Sequence, residues 1–378
     1  MVDDTRGHDV RNCTDEQIKT GRRGALKSIG LGIAGVSGIS QLGLTDDYVE
    51  ITTEIGRDEN ATESVPKEWY EYEERVDEAL HVAREKYKSM DDIQGVSIVP
   101  SDQTRGGKRV NKLEISVASA SLNTQAISLP DEVNQIPTTT AEATNLIPAL
   151  GGCYNDGDYY GLKGGQTVST DYLNGGYGTS CCRVTKNGAE YILTANHLFG
   201  DCDGSGNWGE NLYNQERVGE VFQYNDTMDW VLVDRSGGQP YRDYIDSSAR
   251  GDLQVASHFT RSGLKNLMSS NTTVYKQGCS SGRKTGQIRK INGDWGNGCI
   301  QLGGDGVTVS NNIISGDSGG PIYADSSLSY GDVSIISLTV ARPDSMSRLK
   351  KKCNKWVYGR TASSPAYLMH ENHGIDFY

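Results

Sequence analysis

Hydrophobic and polar positions fall into three successive textures along the chain. The first is a weakly apolar, glycine-rich run over 28–44, preceded by the basic Arg22-Arg23-Gly24-Ala25-Leu26-Lys27. A basic region before a short apolar one has the anatomy of an export signal and is too short for a membrane span. Residues 46–67 are polar and read as a linker. In the second texture, Val76, Leu80, Ala83 and Tyr87 recur among Glu, Lys and Arg, which predicts an amphipathic helix. Residues 95–99 and 113–117 then alternate as strands, with a turn at Gly106-Gly107 between them. This helix and hairpin predict a small α+β unit over 46–148.

The third texture begins near residue 149. Short alternating segments recur with glycine turns between them, at 179–184, 189–194, 217–222, 230–234, 273–275, 287–291, 300–302, 321–323 and 334–340. Closely spaced short strands indicate an all-β barrel or sandwich. Only 365–372 reads as helix, stopping at Gly374.

Composition agrees with this division. A chain of 378 residues can build two or three buried cores, and 46 glycines with 20 tyrosines suit a β-rich, loop-rich fold. A formal charge of −12 argues against nucleic-acid binding, whose footprint is basic. The basic run from Arg348 to Lys355 reads as a solvated loop. The paired Arg22-Arg23 followed by Leu26-Lys27 resemble a twin-arginine signal, although alanine stands where that motif prefers Phe. The expectation is an exported protein, free of the membrane after export.

Candidate chemistry concentrates in three places. Gly316-Asp317-Ser318-Gly319-Gly320-Pro321 cannot be helix interior or ordinary strand. It is either a surface turn or a nucleophile with an oxyanion-binding loop. His197 ends the apolar segment 191–197, where a strand leaves the core. Asp229 immediately precedes the apolar 230–233, and a carboxylate entering a core strand needs a partner. Asp226 is its rival. An imidazole N–H would suit either acid.

In this order, Thr194-Ala195-Asn196-His197, Asp229-Trp230-Val231-Leu232-Val233 and the Ser318 loop resemble the chymotrypsin-like serine proteases. Cys279-Ser280-Ser281-Gly282-Arg283-Lys284-Thr285-Gly286 and the ending Gly374-Ile375-Asp376-Phe377-Tyr378 are similar to the streptogrisin and α-lytic-protease-like bacterial branch. The resemblance covers roughly residues 150–378. It implies an all-β main domain of two antiparallel six-stranded β-barrels with a short C-terminal helix, preceded by the α+β unit as pro-region or accessory domain. Ser318 would be the acylating nucleophile, His197 its base, Asp229 the residue that orients His197. The N–H groups of Gly316 and Ser318 would bind the oxyanion. Asp317 would hold the loop; Ser280 stands where the branch often has arginine, so its partner stays open, with Arg283 one candidate.

The same resemblance implies that Ser337-Leu338-Thr339 pairs with an extended peptide substrate. Uncharged Asn312 would lie at the pocket base and Thr339 at its wall, giving a shallow site. Disulfides Cys182–Cys202 and Cys279–Cys299 are implied, with Cys181 competing for Cys202. The function implied is that of a monomeric serine endopeptidase without cofactor. Cysteine and histidine spacings do not fit zinc. Asp201-Cys202-Asp203-Gly204-Ser205-Gly206 resembles a calcium loop, but Leu212 replaces the bidentate Glu, so an acidic turn is expected and no metal. Two alternatives remain: a catalytically silent peptide-binding relative, and an α/β-hydrolase using Asp332 or Asp376 with His370 or His373.

Overall fold

The predicted helix is α1, Lys67–Tyr87, and it buries Trp69, Tyr72, Val76, Ala79, Leu80, Ala83 and Tyr87 on one face. This is seen in a computed structural model that describes residues 47–87, 89–118, 129–143, 146–148, 161–170, 177–200, 209–247, 250–293, 305–343, 348–352 and 355–378. The export signal, Cys153, Cys202, Cys299, Cys353 and the acidic turn at Asp201 lie outside those residues. So does the strand expected at 300–302.

Before the helix, the segment read as a linker forms a hairpin instead, β1 (Tyr48–Gly56) with β2 (Asn60–Pro66). Its inward positions include Thr53 and Glu54 as well as Ile51 and Val65, so a polar core face hid the alternation. After the helix, β3 (Ile93–Arg105) and β4 (Lys108–Val117) pair antiparallel as expected. Gly106 and Gly107 supply the two positive φ angles, 53° and 79°, that a two-residue hairpin turn requires. Then come β5 (Glu132–Val133), β6 (Ile136–Glu142), which pairs parallel with β4, and β7 (Leu146–Pro148).

The next eight strands are β8 (Leu162–Gly164), β9 (Thr167–Ser169), β10 (Tyr177–Thr179), β11 (Arg183–Lys186), β12 (Ala189–Ala195), β13 (Asn211–Asn214), β14 (Glu216–Asn225) and β15 (Trp230–Val233). Seven of them form one sheet in the order β10-β9-β13-β14-β15-β12-β11. The chain between β10 and β11 rejoins β12, because Cys181 N donates to Leu193 O and Leu193 N to Cys182 O at 2.8 and 3.1 Å. Ile192, Leu212, Val218, Val221, Val231 and Val233 fill its interior.

The second half contains β16 (Tyr241–Ser247), β17 (Gly251–Phe259), α2 (Arg261–Ser269), β18 (Val274–Gly278), β19 (Gly282–Gly286), β20 (Ile288–Gly293) and β21 (Gly306–Val309). It continues with β22 (Pro321–Asp325), β23 (Val333–Pro343), β24 (Arg348–Lys352), β25 (Lys355–Tyr358), β26 (Thr361–Pro365) and the expected terminal helix α3 (Ala366–His373). The basic run is therefore a hairpin, β24 with β25. At the end of α3, Gly374 takes the left-handed conformation at φ 62° and donates back to His370 O. From β8 onward the chain is built of strands, with α2 and α3 as its two short α-helices among the described residues.

The α+β part and this second half share backbone pairing and a core. β1 pairs with β17, and Ile98 of β3 sits opposite Ile291 of β20. Trp69, Val76, Ile98 and Leu113 pack in one cluster with Leu264, Met268, Ile291 and Ile336. Residues Asp46–Tyr378 form a single compact unit.

Candidate active site

β12 and β15 pair so that Ala195 lies opposite Trp230. Their ends therefore emerge together, and one turn of 3-10 helix, Asn196–Leu198, carries His197 over Asp229. The contact is double: His197 N donates to Asp229 Oδ1 at 2.8 Å, and Nδ1 lies 2.5 Å from Oδ2. Both side chains are buried. Asp229 holds φ at 52°, a left-handed value that aspartate tolerates better than most residues. The rival Asp226 accepts instead from Asn196 Nδ2 at 2.8 Å, so the two acids have separate partners. With Nδ1 taken by the carboxylate, His197 Nε2 is buried and makes no hydrogen bond.

Ser318 is buried in the loop between β21 and β22. Its Oγ donates to Val340 O at 2.9 Å, and its carbonyl accepts from Thr179 N at 2.7 Å. Gly316, at φ 99°, directs its carbonyl to Thr179 Oγ1 at 2.6 Å and to the Cys279 thiol at 3.1 Å. Gly319 has φ 91°, and a Cβ there would stand 1.9 Å from Thr179 O, so the loop tolerates only glycine at that point. The backbone of the loop is thus clamped from β10 of the seven-stranded sheet as well as from β23.

Asp317 is wholly buried and finds its cation in Lys276 of β18, not in Arg283. Asp317 also accepts from Ser281 N at 2.8 Å and Ile314 N at 3.0 Å. Gly278 makes room: a Cβ there would meet Asp317 Oδ1 at 2.1 Å. Burial pulls the Lys276 ammonium below its ordinary pKa, and Asp317 is the main attraction opposing that. Arg283 stacks its guanidinium on Tyr275, 3.9 Å from the ring centre. Sequence patterning had no signal for Lys276, because a lysine in an alternating strand reads as solvent-facing.

Three expectations change. Ser337-Leu338-Thr339 cannot accept an added strand, since β22 pairs with Ser337 and Leu338 on one edge and β26 with all three on the other. Ser337 Oγ is bonded to Ser363 Oγ at 2.8 Å, and Thr339 Oγ1 is buried. Cys182 and Cys279 are free thiols, so neither implied disulfide is formed. Cys182 lies against Cys181 with sulfurs 3.8 Å apart, and Cys279 points at the carbonyls of Gly316 and Gly178. Asn312 is half-buried next to Ile313, which bridges Tyr358 through two backbone hydrogen bonds of 2.9 Å. Of the α/β-hydrolase candidates, His370 does meet Asp376, at 2.9 Å. Strand and not helix follows Ser318, however, so no nucleophile elbow exists.

The model of the family described as Trypsin matches residues 165–357, just over half of the chain. The chain belongs to the trypsin family. It is a serine-type endopeptidase, and its substrate class is peptide or protein. Among solved structures it is similar to Thermobifida fusca protease A at 15% identity and a TM-score of 0.40, over 57% of this chain and 97% of that one. It is likewise similar to the chymotrypsin of Cellulomonas bogoriensis, at 17% identity and a TM-score of 0.40, over 57% and 98%. No curated protein sequence matches it. Within a trypsin-family chain, His197, Asp229 and Ser318 keep the family's chain order, and the first two are already in contact.

Proposed function

We propose that this protease is exported and cleaves peptide bonds through an acyl-enzyme on Ser318, with His197 as general base and then acid and Asp229 as the residue that orients it. The observation that carries the reading is the double clamp of Asp229 on His197. It leaves Nε2 as the nitrogen available to take the Ser318 proton, and it stabilises the imidazolium that results. The hydroxyl oxygen would attack the substrate carbonyl, and the N–H groups of Gly316 and Ser318 would hold the developing oxyanion, each donor contributing about 3–4 kcal/mol. His197 would then return the proton to the leaving amine, and water would release the acyl group by the same route. In this structure the Ser318 hydroxyl donates to Val340 O at 2.9 Å, a bond it must give up to reach its base. Catalytic contacts commonly tighten only with substrate bound.

The basic, glycine-rich leader supports export by the twin-arginine route. Fluorophosphonate labelling followed by peptide mapping is the decisive test. Label is expected on Ser318 alone and absent from Ser318→Ala. Label on another serine, or casein turnover equal in the wild type and Ser318→Ala, overturns the assignment, and a folded wild type with neither label nor turnover favours the silent peptide-binding alternative.

A further inference from the structure

From Ser345 to Pro365 the chain holds Arg348, Lys350, Lys351, Lys352, Lys355 and Arg360 and no Asp or Glu, within a protein of formal charge −12. Like charges gathered in one short segment make a local field that attracts a partner of opposite sign. The backbone tightens the gathering. β24 and β25 form a two-stranded sheet of their own, with Lys350 opposite Val357, Lys351 opposite Trp356 and Lys352 opposite Lys355. Like charges directly opposite each other are destabilising, and an anionic partner relieves that repulsion.

This hairpin is tied to the Ser318 loop at its base. Buried Tyr358 exchanges two backbone hydrogen bonds of 2.9 Å with Ile313, and the neighbouring Ile314 N donates to Asp317 Oδ2 at 3.0 Å. On its other side the chain comes from β23, where Val340 O accepts from the Ser318 hydroxyl. Arg342 follows two residues later, about 7 Å along an extended strand. It lays its guanidinium 3.8 Å from the centre of the Tyr358 ring. Neither Arg342 nor the exposed Arg360 has an ion pair with a described residue. A cationic rim therefore starts within a few residues of the nucleophile and continues into the hairpin.

We propose that Arg342 and the β24–β25 hairpin select acidic polypeptides as substrates, by binding Asp or Glu residues that flank the scissile bond. This rests on Ser318 being the nucleophile. The hairpin takes no part in bond breaking, so its effect falls on KM. The five residues of β24 span about 17 Å, which matches about five residues of extended peptide. An extended polyanion, such as a nucleic acid or an anionic membrane, would also meet the acidic remainder of the molecule and be repelled by it. A short acidic stretch of peptide meets the rim alone, because charges at physiological salt act over only about 8 Å.

The test starts from a cleavage site mapped by mass spectrometry in casein. Peptides spanning that site keep the residues beside the scissile bond, with the outer flanking positions made all Glu or all Gln. Both kcat and KM are measured for the wild type, for the combined Lys350→Gln, Lys351→Gln, Lys352→Gln and Lys355→Gln variant, and for Arg342→Gln. At low salt the wild type is expected to favour the Glu peptide at least about tenfold in kcat/KM, through KM. The preference should vanish near about 1 M salt. The combined variant should lose it while cutting the Gln peptide at the wild-type rate, which also shows that it is folded. Equal kcat/KM for the two peptides in the wild type, or a preference kept in both variants, overturns the proposal. So does binding of phosphatidylglycerol vesicles that depends on the four lysines while both peptides are cut alike. If the wild type neither cuts casein nor takes fluorophosphonate on Ser318, the nucleophile assignment fails. Fluorescence anisotropy of the labelled peptides on Ser318→Ala then decides the hairpin by itself: tighter binding of the Glu peptide that the four Lys→Gln changes abolish supports acidic recognition, and equal binding of the two peptides overturns it.

Discussion

At the scale of single residues, the site depends on buried charges whose partners come from distant parts of the chain. Lys276 and Asp317 are the sharpest case, both fully buried and 41 residues apart in sequence. Removing one member of such a pair leaves an uncompensated charge and typically costs about 3–5 kcal/mol. Lys276→Met should therefore lower the urea midpoint strongly, and adding Asp317→Asn should recover part of the loss. An unchanged midpoint in the single variant would show that the ion pair does not hold the loop. A loop-holding role for Asp317 was implied by the family resemblance. Its partner was not: nothing local distinguishes Lys276 from a solvent-facing lysine. Asp229 abuts an apolar strand directly while Asp226 lies three residues earlier, and it is Asp229 that meets His197.

At the scale of elements, periodicity found what has an apolar face and missed what has a polar one. α1 and the β3–β4 hairpin were predicted because their inward positions are Val, Leu, Ile and aromatic residues. β1 was read as linker because its inward positions include Thr53 and Glu54. Burial raises the Glu54 pKa, but hydrogen bonds from Ser327, Ser334 and Ser326 outweigh it and bring the carboxyl below its ordinary value. The stabilisation from Glu54 is thus present above the ordinary carboxylate pKa and is lost as pH falls through the lowered folded value. Glu54→Gln turns hydrogen-bond donors toward these serine hydroxyls and should destabilise by about 1–3 kcal/mol at neutral pH. Urea unfolding of the whole chain measures it. A loss below a few tenths would mean that the serine cluster does not anchor β1.

At the scale of the whole molecule, acid sensitivity should trace to the buried C-terminal packing. His258 of β17 is wholly buried against His370 and Phe377, with ring centres 4.6 and 5.5 Å away, and Asp376 faces His370. Burial, reinforced by the charge on His370, depresses the His258 pKa to about 3 from 6.5. The folded state therefore keeps it neutral while the unfolded chain takes up a proton. Its contribution is complete above pH 6.5 and declines as pH falls toward 3, at about 1.4 kcal/mol per pH unit. In His258→Phe the slope of stability against pH in that window should be shallower by that amount. Parallel slopes for variant and wild type would remove His258 from the account.

Sequence alone determined the β-rich class, the resemblance to the chymotrypsin-like proteases, and the glycine-bearing loop around Ser318. Each of those rests on local chemistry: alternation, turn residues, and an acid or base at the end of an apolar strand. Tertiary structure decided the rest. Lys276 became the partner of Asp317 only when β18 was folded against the loop. Ser337–Thr339 lost its expected role because strands on both sides of β23 satisfied its backbone groups, and a filled edge cannot bind a peptide. The position of β7 on Ala341–Pro343, and the shared core that binds 46–142 to the second half of the chain, arise from pairings between residues more than a hundred positions apart. Hydrophobic pattern records which face of a strand is buried and carries no record of which strand lies at its edge.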